Sequence, residues 1–395
     1  MSLASQDFAI CGRHVSGALA LGLVFMSAFL ASPLATAQTY SVLYTFKGGT
    51  DGAGPRAGLI RDAKGNLYGT TYAGDTLNNG VVFKLNTAGK ETLLHSFDSA
   101  DGAQPWAAVV RDSAGNLYGT AYNGGISGFG LVFKMDNKGN ETRLYSFTGG
   151  VDGANPRASL VRDSAGNLYG TTFFGGASGA GTVFEVDTTG KETVLYSFKN
   201  GADGGYPWAG LVRDLAGNFY GTAVSGGASN FGVVFKLDKT GKETVLHSFA
   251  GGSDGMFPAS GNLVRDSAAN LYGVTPSGGV PGYGVVYKVT KTGHETVLYT
   301  FAGQADGGDP VGGLVRDSAG NLYGTTNYSN FGGNAGYGGV FELSPAGQLS
   351  VLYNFTGKAD GAPTYSTLLR DTAGNLYGTA YTSNPGLGVV FKLAP

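Results

Sequence analysis

Short runs rich in apolar residues, separated by clusters of glycine and polar residues, follow one another along this chain. In a representative run, Val194, Tyr196 and Phe198 occupy every second position, which is the period of a β-strand. No stretch shows a sustained apolar period of 3.6 residues, the mark of an amphipathic helix. The pattern therefore predicts a protein that is essentially all β.

A ten-residue phrase, R-D-x-x-G-N-L-Y-G-T, recurs with small variations among these runs. Its seven copies begin at Arg61, Arg111, Arg162, Arg213, Arg265, Arg316 and Arg370. Successive copies begin 50 to 54 residues apart, about 51 on average. A fixed period of this length predicts a stack or ring of identical units, each of which buries its apolar face against its neighbours.

Each unit contains four strands, here named A to D in chain order. In the third copy they are predicted at 159–162, 168–172, 182–186 and 192–198. Tight turns with Asp and Gly join A to B and C to D. Four antiparallel strands in about 51 residues are typical of a propeller blade, so the sequence predicts a seven-bladed β-propeller.

The two ends of the repeat array complement each other. The array begins with an isolated D-type strand at residues 40–46 and stops after the C strand of the seventh copy, at 388–393. We expect the N-terminal strand to complete the seventh blade as its outermost strand, which closes the ring and covers a sheet edge. An open solenoid is the alternative, but it leaves the first strand unexplained.

The first 37 residues differ from the rest of the chain. Arg13 and His14 precede an apolar run at 18–30, which is too short to cross a bilayer comfortably. A small-residue site, Ala35-Thr36-Ala37, follows. This predicts a secretory signal peptide at 1–37 and one propeller domain at 38–395, secreted or periplasmic and not inserted in the membrane after cleavage. An uncleaved anchor is the alternative.

Composition narrows the function classes further. The single cysteine, Cys11, lies in the leader, so disulfides would not hold the exported domain together. A formal net charge of −2 argues against nucleic acid as a partner. We expect a monomer whose partner is a glycan or another envelope or secreted protein.

Two sets of aspartates recur in every repeat. One follows the Arg of the phrase: Asp62, Asp112, Asp163, Asp214, Asp266, Asp317 and Asp371. We interpret these as turn caps with the adjacent Arg in ion pairs, rather than as a ring of cation ligands.

The other set lies in the D–A loops within D-G-x-x-P: Asp51, Asp101, Asp152, Asp203, Asp254, Asp306 and Asp360. Loop capping is the favoured interpretation here too. We predict no cofactor, with calcium as the alternative.

The candidate binding residues lie where the repeats differ. The residue after the loop proline is Arg56, Trp106, Arg157, Trp208, Ala259 or Val311, and counting back from Arg370 gives Tyr365 as the equivalent position in the seventh copy. The residue that ends strand B is Tyr72, Tyr122, Phe173, Val224, Pro276, Asn327 or Tyr381. Both sets are predicted at one mouth of the central channel. Aromatic and Arg side chains there suit sugar stacking or peptide capture, whereas packing between loops is the alternative.

The sixth copy has a longer B–C loop at 327–339, with Tyr328, Phe331 and Tyr337, which could form one wall of a site. The predicted ligand-binding residues are therefore Arg56, Tyr72, Trp106, Tyr122, Arg157, Phe173, Trp208, Tyr328, Tyr365 and Tyr381.

Catalytic signals are weak. The three histidines after the leader, His95, His247 and His294, belong to different blades, and no metalloprotease, nucleophile-elbow or phosphate-loop motif is present. We predict no catalytic residues and a non-catalytic protein that binds a glycan or cell-surface polymer. The alternatives are a carbohydrate-active or lactone-hydrolysing enzyme that uses rim carboxylates, and a protein-interaction scaffold.

Three phrases, L-Y-S-F-x-G-G-x-D-G-x-x-P, R-D-x-x-G-N-L-Y-G-T and G-x-V-F-K-L, together cover residues 40–393. In these phrases the chain resembles the GloVer-containing, or choice-of-anchor, tandem repeat proteins of bacteria. The resemblance implies an exported protein of propeller-type repeats without assigned chemistry. It transfers no catalytic residue, and the C-terminal anchoring segment of many members is not recognised in this sequence.

Overall fold

The computed structural model describes residues 38–258, 261–328, 336–362, 365–381 and 387–395. Apart from one 3-10 turn at Gly49–Asp51, its regular elements are β-strands in seven separate antiparallel sheets. Within these ranges no helix is long and apolar enough to cross a membrane. The predicted signal peptide at 1–37 lies outside the described residues.

The seven sheets are the seven blades. Blades 1 to 3 contain β2 (Ile60–Arg61), β3 (Leu67–Thr71), β4 (Val81–Leu85) and β5 (Glu91–Ser96); β6 (Val110–Arg111), β7 (Leu117–Ala121), β8 (Leu131–Met135) and β9 (Glu141–Ser146); and β10 (Val161–Arg162), β11 (Leu168–Thr172), β12 (Thr182–Val186) and β13 (Glu192–Ser197). Blades 4 and 5 contain β14 (Val212–Arg213), β15 (Phe219–Ala223), β16 (Val233–Leu237) and β17 (Glu243–Ser248); and β18 (Val264–Arg265), β19 (Leu271–Thr275), β20 (Val285–Val289) and β21 (Glu295–Thr300). Blade 6 contains β22 (Gly308–Pro310), β23 (Val315–Arg316), β24 (Leu322–Tyr328), β25 (Gly339–Leu343) and β26 (Leu349–Asn354), and blade 7 contains β27 (Leu369–Arg370), β28 (Leu376–Ala380), β29 (Val389–Ala394) and β1 (Thr39–Thr45).

The fixed residues of the repeat are explained by packing inside each blade. Strand B of blade 1 is fully buried, and at Gly69 an added Cβ would lie 2.7 Å from Cζ of Phe83 on strand C. The ring of Phe83 is itself fully buried, so only glycine leaves room for it at this position. The same Gly–Phe contact recurs in blades 2, 3, 4, 6 and 7.

Apolar cores between neighbouring blades hold the sheets together. Each of the seven buried clusters joins strands of two adjacent blades. One of them contains Leu67 and Phe83 of blade 1 together with Tyr377 and Val390 of blade 7. The blades therefore form a closed ring, as predicted, and not an open solenoid.

The ring closes through the N-terminal strand. β1 pairs antiparallel with β29, with Tyr40 opposite Leu393 and Val42 opposite Phe391. The ring of Tyr40 stacks on Tyr353 of blade 6 with 4.0 Å between centroids. This strand is the outermost one of blade 7, as the sequence predicted.

The blades differ from the predicted strands in two respects. Strand A is only two residues long in each blade, Val161–Arg162 in the third copy, because the preceding residues approach the inner ends of neighbouring blades. Gly210 N, for example, donates a hydrogen bond to Asn262 Oδ1 of the next blade. In blade 6, β24 extends to Tyr328 and pairs with the extra strand β22.

Candidate functional site

The aspartates of the repeated phrase are turn caps, as expected. Asp62 Oδ1 accepts hydrogen bonds from the backbone N–H groups of Lys64 and Asn66 at 2.9 Å. Its Oδ2 accepts from Asn66 Nδ2 at 2.8 Å and from the Tyr68 hydroxyl at 3.1 Å. Burial alone would raise the pKa of this carboxyl, but these hydrogen bonds outweigh it and hold the pKa below its usual value.

The arginines of the phrase are not generally ion-paired, and in this respect the prediction was wrong. Among the described residues only Arg370 forms such a pair, with Asp317 at 3.9 Å. Six of the seven lie over a tyrosine of the preceding blade, as Arg111 does over Tyr68 at 5.8 Å; they are Arg111, Arg162, Arg213, Arg265, Arg316 and Arg370. A planar guanidinium stacks well on an aromatic face, so these side chains bind one blade to the next.

The aspartates of the D–A loops cap their own loops. Asp152 Oδ2 accepts hydrogen bonds from Thr148 N at 2.7 Å and from the Tyr145 hydroxyl at 2.9 Å. His95 takes the place of this tyrosine in blade 1 and lies 2.9 Å from Asp101. In the part of the chain that the structure describes, no three His, Cys, Asp or Glu side chains are grouped as metal ligands.

Hydrogen bonds within and between blades position the loop residues that carry the variable side chains. Asn155, just before the loop proline, donates its N–H to Phe129 O of the previous blade at 2.7 Å and accepts from Phe173 N at 3.2 Å. Thr120 Oγ1 of strand B donates to Ala158 O, two residues after that proline, at 3.2 Å. The side chains after the proline and at the end of strand B are therefore held on a rigid frame.

Arg56 lies among four aromatic rings on this rim. Its Cζ is 4.5 Å from the ring centroid of Tyr72, 4.6 Å from Trp106 and 4.4 Å from Tyr381. Tyr365 lies further away, at 5.8 Å. These residues come from blades 1, 2 and 7, so the contact joins both sides of the ring closure.

Arg157 has a matching position one blade further round. Its Cζ lies 5.2 Å from Trp106, 4.3 Å from Phe173 and 4.6 Å from Trp208. It also lies 4.7 Å from the ring of Tyr122, and Arg157 Nη2 donates to the Tyr122 hydroxyl at 3.1 Å. Trp106 therefore lies between the guanidinium groups of Arg56 and Arg157 and contacts both.

We name this group the arginine–aromatic cluster; it contains Arg56, Tyr72, Trp106, Tyr122, Arg157, Phe173, Trp208, Tyr365 and Tyr381. Nine of the ten predicted binding residues thus lie together. Tyr328 lies apart from the cluster and stacks on Tyr283, with 5.9 Å between centroids. The predicted positions Ala259 and Phe331 lie outside the described residues.

Two cavities open beside the cluster. One, of about 260 Å³, is lined by Arg56, Trp106, Arg157 and Tyr365 and by inner-strand residues such as Asn262. The other, of about 320 Å³, is lined mainly by apolar groups: Trp208, Val224, Phe257, Pro276, Val311 and Tyr365, together with Asp309. Tyr365 lines both, so the cavities are neighbours on one face of the ring.

Asp309 is the only carboxylate among the described residues that line these two cavities. Its Oδ2 accepts a hydrogen bond from Asn327 Nδ2 at 2.8 Å. Burial raises the pKa of Asp309, and this hydrogen bond only partly opposes the effect.

Asp309 belongs to a set of rim residues that the sequence analysis missed. The residue before the loop proline has a left-handed backbone in Gln104, Asn155, Tyr206, Phe257 and Asp309, with φ between 51° and 58°. Non-glycine residues pay on the order of 1 kcal/mol for this conformation. The available signal was that this position, like the one after the proline, varies from copy to copy while the proline between them recurs.

Fold and rim together define a seven-bladed β-propeller with one face of variable residues. The Gloeobacter/Verrucomicrobia repeat matches residues 22–216 and 162–391. The chain therefore belongs to this repeat family, which agrees with the resemblance seen in its phrases. No match was found among curated proteins.

Several solved structures are similar to this chain. The extracellular domain of a proposed one-component system from B. thetaiotaomicron is 10% identical, with a TM-score of 0.58; the match covers 91% of this chain and 40% of that one. A protein described as a candidate 6-phosphogluconolactonase, from Bacteroides uniformis, is 14% identical, with a TM-score of 0.50 and coverage of 88% and 90%. A gluconolactonase from Xanthomonas campestris is 13% identical, with a TM-score of 0.44 and coverage of 90% and 89%. At these identities the first two matches show a similar fold and nothing further.

Proposed function

We propose that this protein is an exported, non-catalytic propeller that binds a glycan or cell-surface polymer at the arginine–aromatic cluster. The observation that carries the proposal is the concentration of variable aromatic and Arg side chains beside two adjoining cavities. Nothing in the repeat requires large rings at these positions, since other copies have Val311 or Val224 there. Exposed ring faces stack on the apolar faces of sugars.

The size of the cavities favours a small unit of a longer ligand. Typical ligand pockets measure roughly 300–1,000 Å³; the cavity of about 320 Å³ lies at the lower end of this range and the one of about 260 Å³ just below it. Each cavity suits one ring of a chain that continues across the rim. A polymer could therefore occupy both cavities at once.

Lactone hydrolysis is the second candidate function, and Asp309 is the observation that favours it. A carboxyl with a raised pKa in a mainly apolar cavity suits general acid or base chemistry. The neighbour described as a candidate 6-phosphogluconolactonase makes lactones the first substrates to try. Two-carboxylate glycoside hydrolysis has less support, because Asp309 has no second carboxylate beside it among the described lining residues.

Tryptophan fluorescence tests the binding proposal, because Trp106 and Trp208 are the only tryptophans in the chain. The purified protein would be titrated with a panel of oligosaccharides, with and without calcium. A saturable change that is lost in Trp106→Ala or Trp208→Ala, with unchanged circular dichroism, is the expected result. A flat response across the panel would refute the binding proposal and favour a protein-interaction scaffold. Capture of envelope proteins by the purified protein would then test that alternative.

Turnover separates the two candidates. The same oligosaccharides and a set of sugar lactones would be incubated with the protein and with Asp309→Asn. We expect no hydrolysis by either. Hydrolysis that disappears in Asp309→Asn would replace the binding proposal by an enzymatic one.

A further inference from the structure

The two arginines of the cluster have no acidic partner. Among the described residues, basic and acidic side chains meet within 4.0 Å only at His95–Asp101, His247–Asp254 and Arg370–Asp317. The segments of the propeller outside the described ranges, 259–260, 329–335, 363–364 and 382–386, contain no Asp or Glu in the sequence. Arg56 and Arg157 are therefore two uncompensated positive charges beside one cavity.

The arginines of the repeated phrase provide a comparison within the same molecule. Arg162 also lies over a tyrosine, Tyr118, at 5.5 Å. Unlike Arg56 and Arg157, it is close enough to Asp112 to lower the pKa of that carboxyl, although burial and hydrogen bonds act on it more strongly. Arg162, like Arg370 with its ion pair to Asp317, thus has both a ring and a carboxylate nearby, whereas the cluster supplies only the rings.

Three donors of the cluster have no acceptor. Arg56 Nε, Arg157 Nε and Trp106 Nε1 are buried and lack a hydrogen-bond partner within the described part of the chain, a condition that Arg265 Nε and Arg370 Nε of the repeated phrase share. A buried donor without an acceptor costs about 1–3 kcal/mol.

The rings restrict how such a ligand can approach. They lie within 4.3 to 5.8 Å of the guanidinium carbons, so what a ligand can reach is mainly the N–H edges. A guanidinium edge matches the planar, two-oxygen geometry of a carboxylate. The aromatic residues beside it would meet the apolar face of a sugar ring.

We propose that the arginine–aromatic cluster recognises the carboxylate of an acidic sugar, so that the ligand of the propeller is a uronate-containing glycan. This inference rests on the proposed function and names its ligand class. Arg157 and Arg56 hold the carboxylate, and the neighbouring rings hold the pyranose. A neutral glycan would leave both charges uncompensated.

The test compares an oligogalacturonate with its methyl ester, which has the same sugar backbone without the charge. Tryptophan fluorescence titrations would measure both affinities at low and at high salt, with a sulfated oligosaccharide as a third ligand. We expect the acid to bind at least about tenfold more tightly than the ester. Its affinity should fall with added salt, whereas that of the ester should not.

Matched variants assign the effect to the cluster. Arg157→Gln should remove the preference for the acid, and Arg157→Lys, which keeps the charge but loses the planar fork, should retain part of it. Arg162→Gln removes a stacked arginine away from these cavities and should leave both affinities unchanged. Thermal unfolding of each variant shows whether the propeller is intact, and Arg56→Gln provides an independent second position.

Three outcomes would overturn the inference while leaving the binding function standing: equal affinity for acid and ester, binding of the sulfated ligand but not the uronate, or an acid preference that survives in both folded arginine variants. Absence of binding by any glycan would instead refute the proposed function itself. The two failures are therefore distinguishable in one set of titrations.

Discussion

At Ala269 the A–B turn of blade 5 adopts a left-handed backbone, with φ of 68°. The other six copies have glycine at this point, and Ala269 N donates to Asp266 O at 3.1 Å as those glycines do to their own aspartates. The turn imposes its geometry whichever residue is present, so the side chain of alanine is held in a strained conformation.

Ala269→Gly should therefore stabilise the protein by about 1 kcal/mol. Denaturant unfolding of the variant and the parent would measure the difference. Ala268→Gly is the matched control, since Ala268 is not among the residues with positive φ and gains nothing from glycine. Equal or opposite effects of the two substitutions would contradict this account.

Tyr287 is the second residue that departs from its repeat. The other blades have phenylalanine at this position of strand C. The Tyr287 hydroxyl is buried without a hydrogen-bond partner in the described structure, and burial raises its pKa. The repeat pattern marks this residue as a variant, but only the packing shows that its hydroxyl has no acceptor.

We expect Tyr287→Phe to raise the free energy of unfolding by about 1–3 kcal/mol, the cost of an unsatisfied buried hydroxyl. Tyr220→Phe should act in the opposite direction, because the Tyr220 hydroxyl donates to Asp214 Oδ2 at 3.0 Å. Melting temperatures of the two variants make the comparison. A loss of stability in Tyr287→Phe would show that the hydroxyl has an acceptor after all.

At the scale of strands, the start of a D strand meets the D–A loop of the preceding blade. Glu141 of β9 lines the same shallow cavity as Asp101, and Arg143 Nη1 donates to Ala100 O at 3.1 Å. Burial, followed by the charge of the neighbouring aspartate, raises the pKa to about 7 for Glu141, Glu192, Glu243 and Glu295. Adjacent blades thus meet through carboxyl pairs.

These glutamates make stability depend on pH. Their pKa is higher in the folded protein than in the unfolded chain, so the folded state binds more protons between about pH 4.5 and pH 7. Stability should fall as the pH rises through this window and stay low above it. Because the groups are only half-buried, we expect less than about 1 kcal/mol from each.

Melting temperatures at pH 5 and pH 8 would show this effect, with the lower value at pH 8. Glu192→Gln, which cannot ionise, should reduce the difference by stabilising the protein at pH 8. Glu185→Gln provides a comparison with a glutamate of strand C in the same blade. A melting temperature independent of pH in this range would contradict the assignment.

The closing strand β1 depends on one aromatic side chain. Tyr40 stacks on Tyr353, contacts Phe391 at 5.5 Å between centroids, and donates its hydroxyl to Asp360 O at 2.5 Å. Tyr40→Ala should therefore cost about 3–5 kcal/mol, measured by thermal unfolding. Val42→Ala on the same strand should cost much less, since Val42 is 39% exposed. Similar losses from both would mean that the stack does not anchor the strand.

At the scale of the whole molecule, the ring could be predicted because its evidence lies in the period of the sequence. Seven copies, four strands per copy and an unmatched first strand were sufficient for blade number and closure. The members of the candidate site could also be named, because Trp106 and Arg157 vary where their neighbours do not. A position that varies between copies is one whose side chain the fold does not require.

The arrangement within the site could not be predicted in the same way. Periodicity places Arg56 and Trp106 on one rim, but the 4.6 Å contact between them depends on how adjacent blades are turned. The extra strand β22 and the position of Tyr328 arise from the lengthened β24, whose path no repeat specifies. The left-handed residues before proline follow from hydrogen bonds between blades, which a single repeat does not contain.

Pairing of β1 with β29 also determines when the molecule can be completed. Synthesis begins at the N-terminus, so β1 stays unpaired until β29 has been made, about 350 residues later. During synthesis the blades can form in order, but the final seam waits for the C-terminus. A copy that has lost its own β1 would offer β29 to the first strand of a second molecule, so damage at this end would produce domain-swapped assemblies.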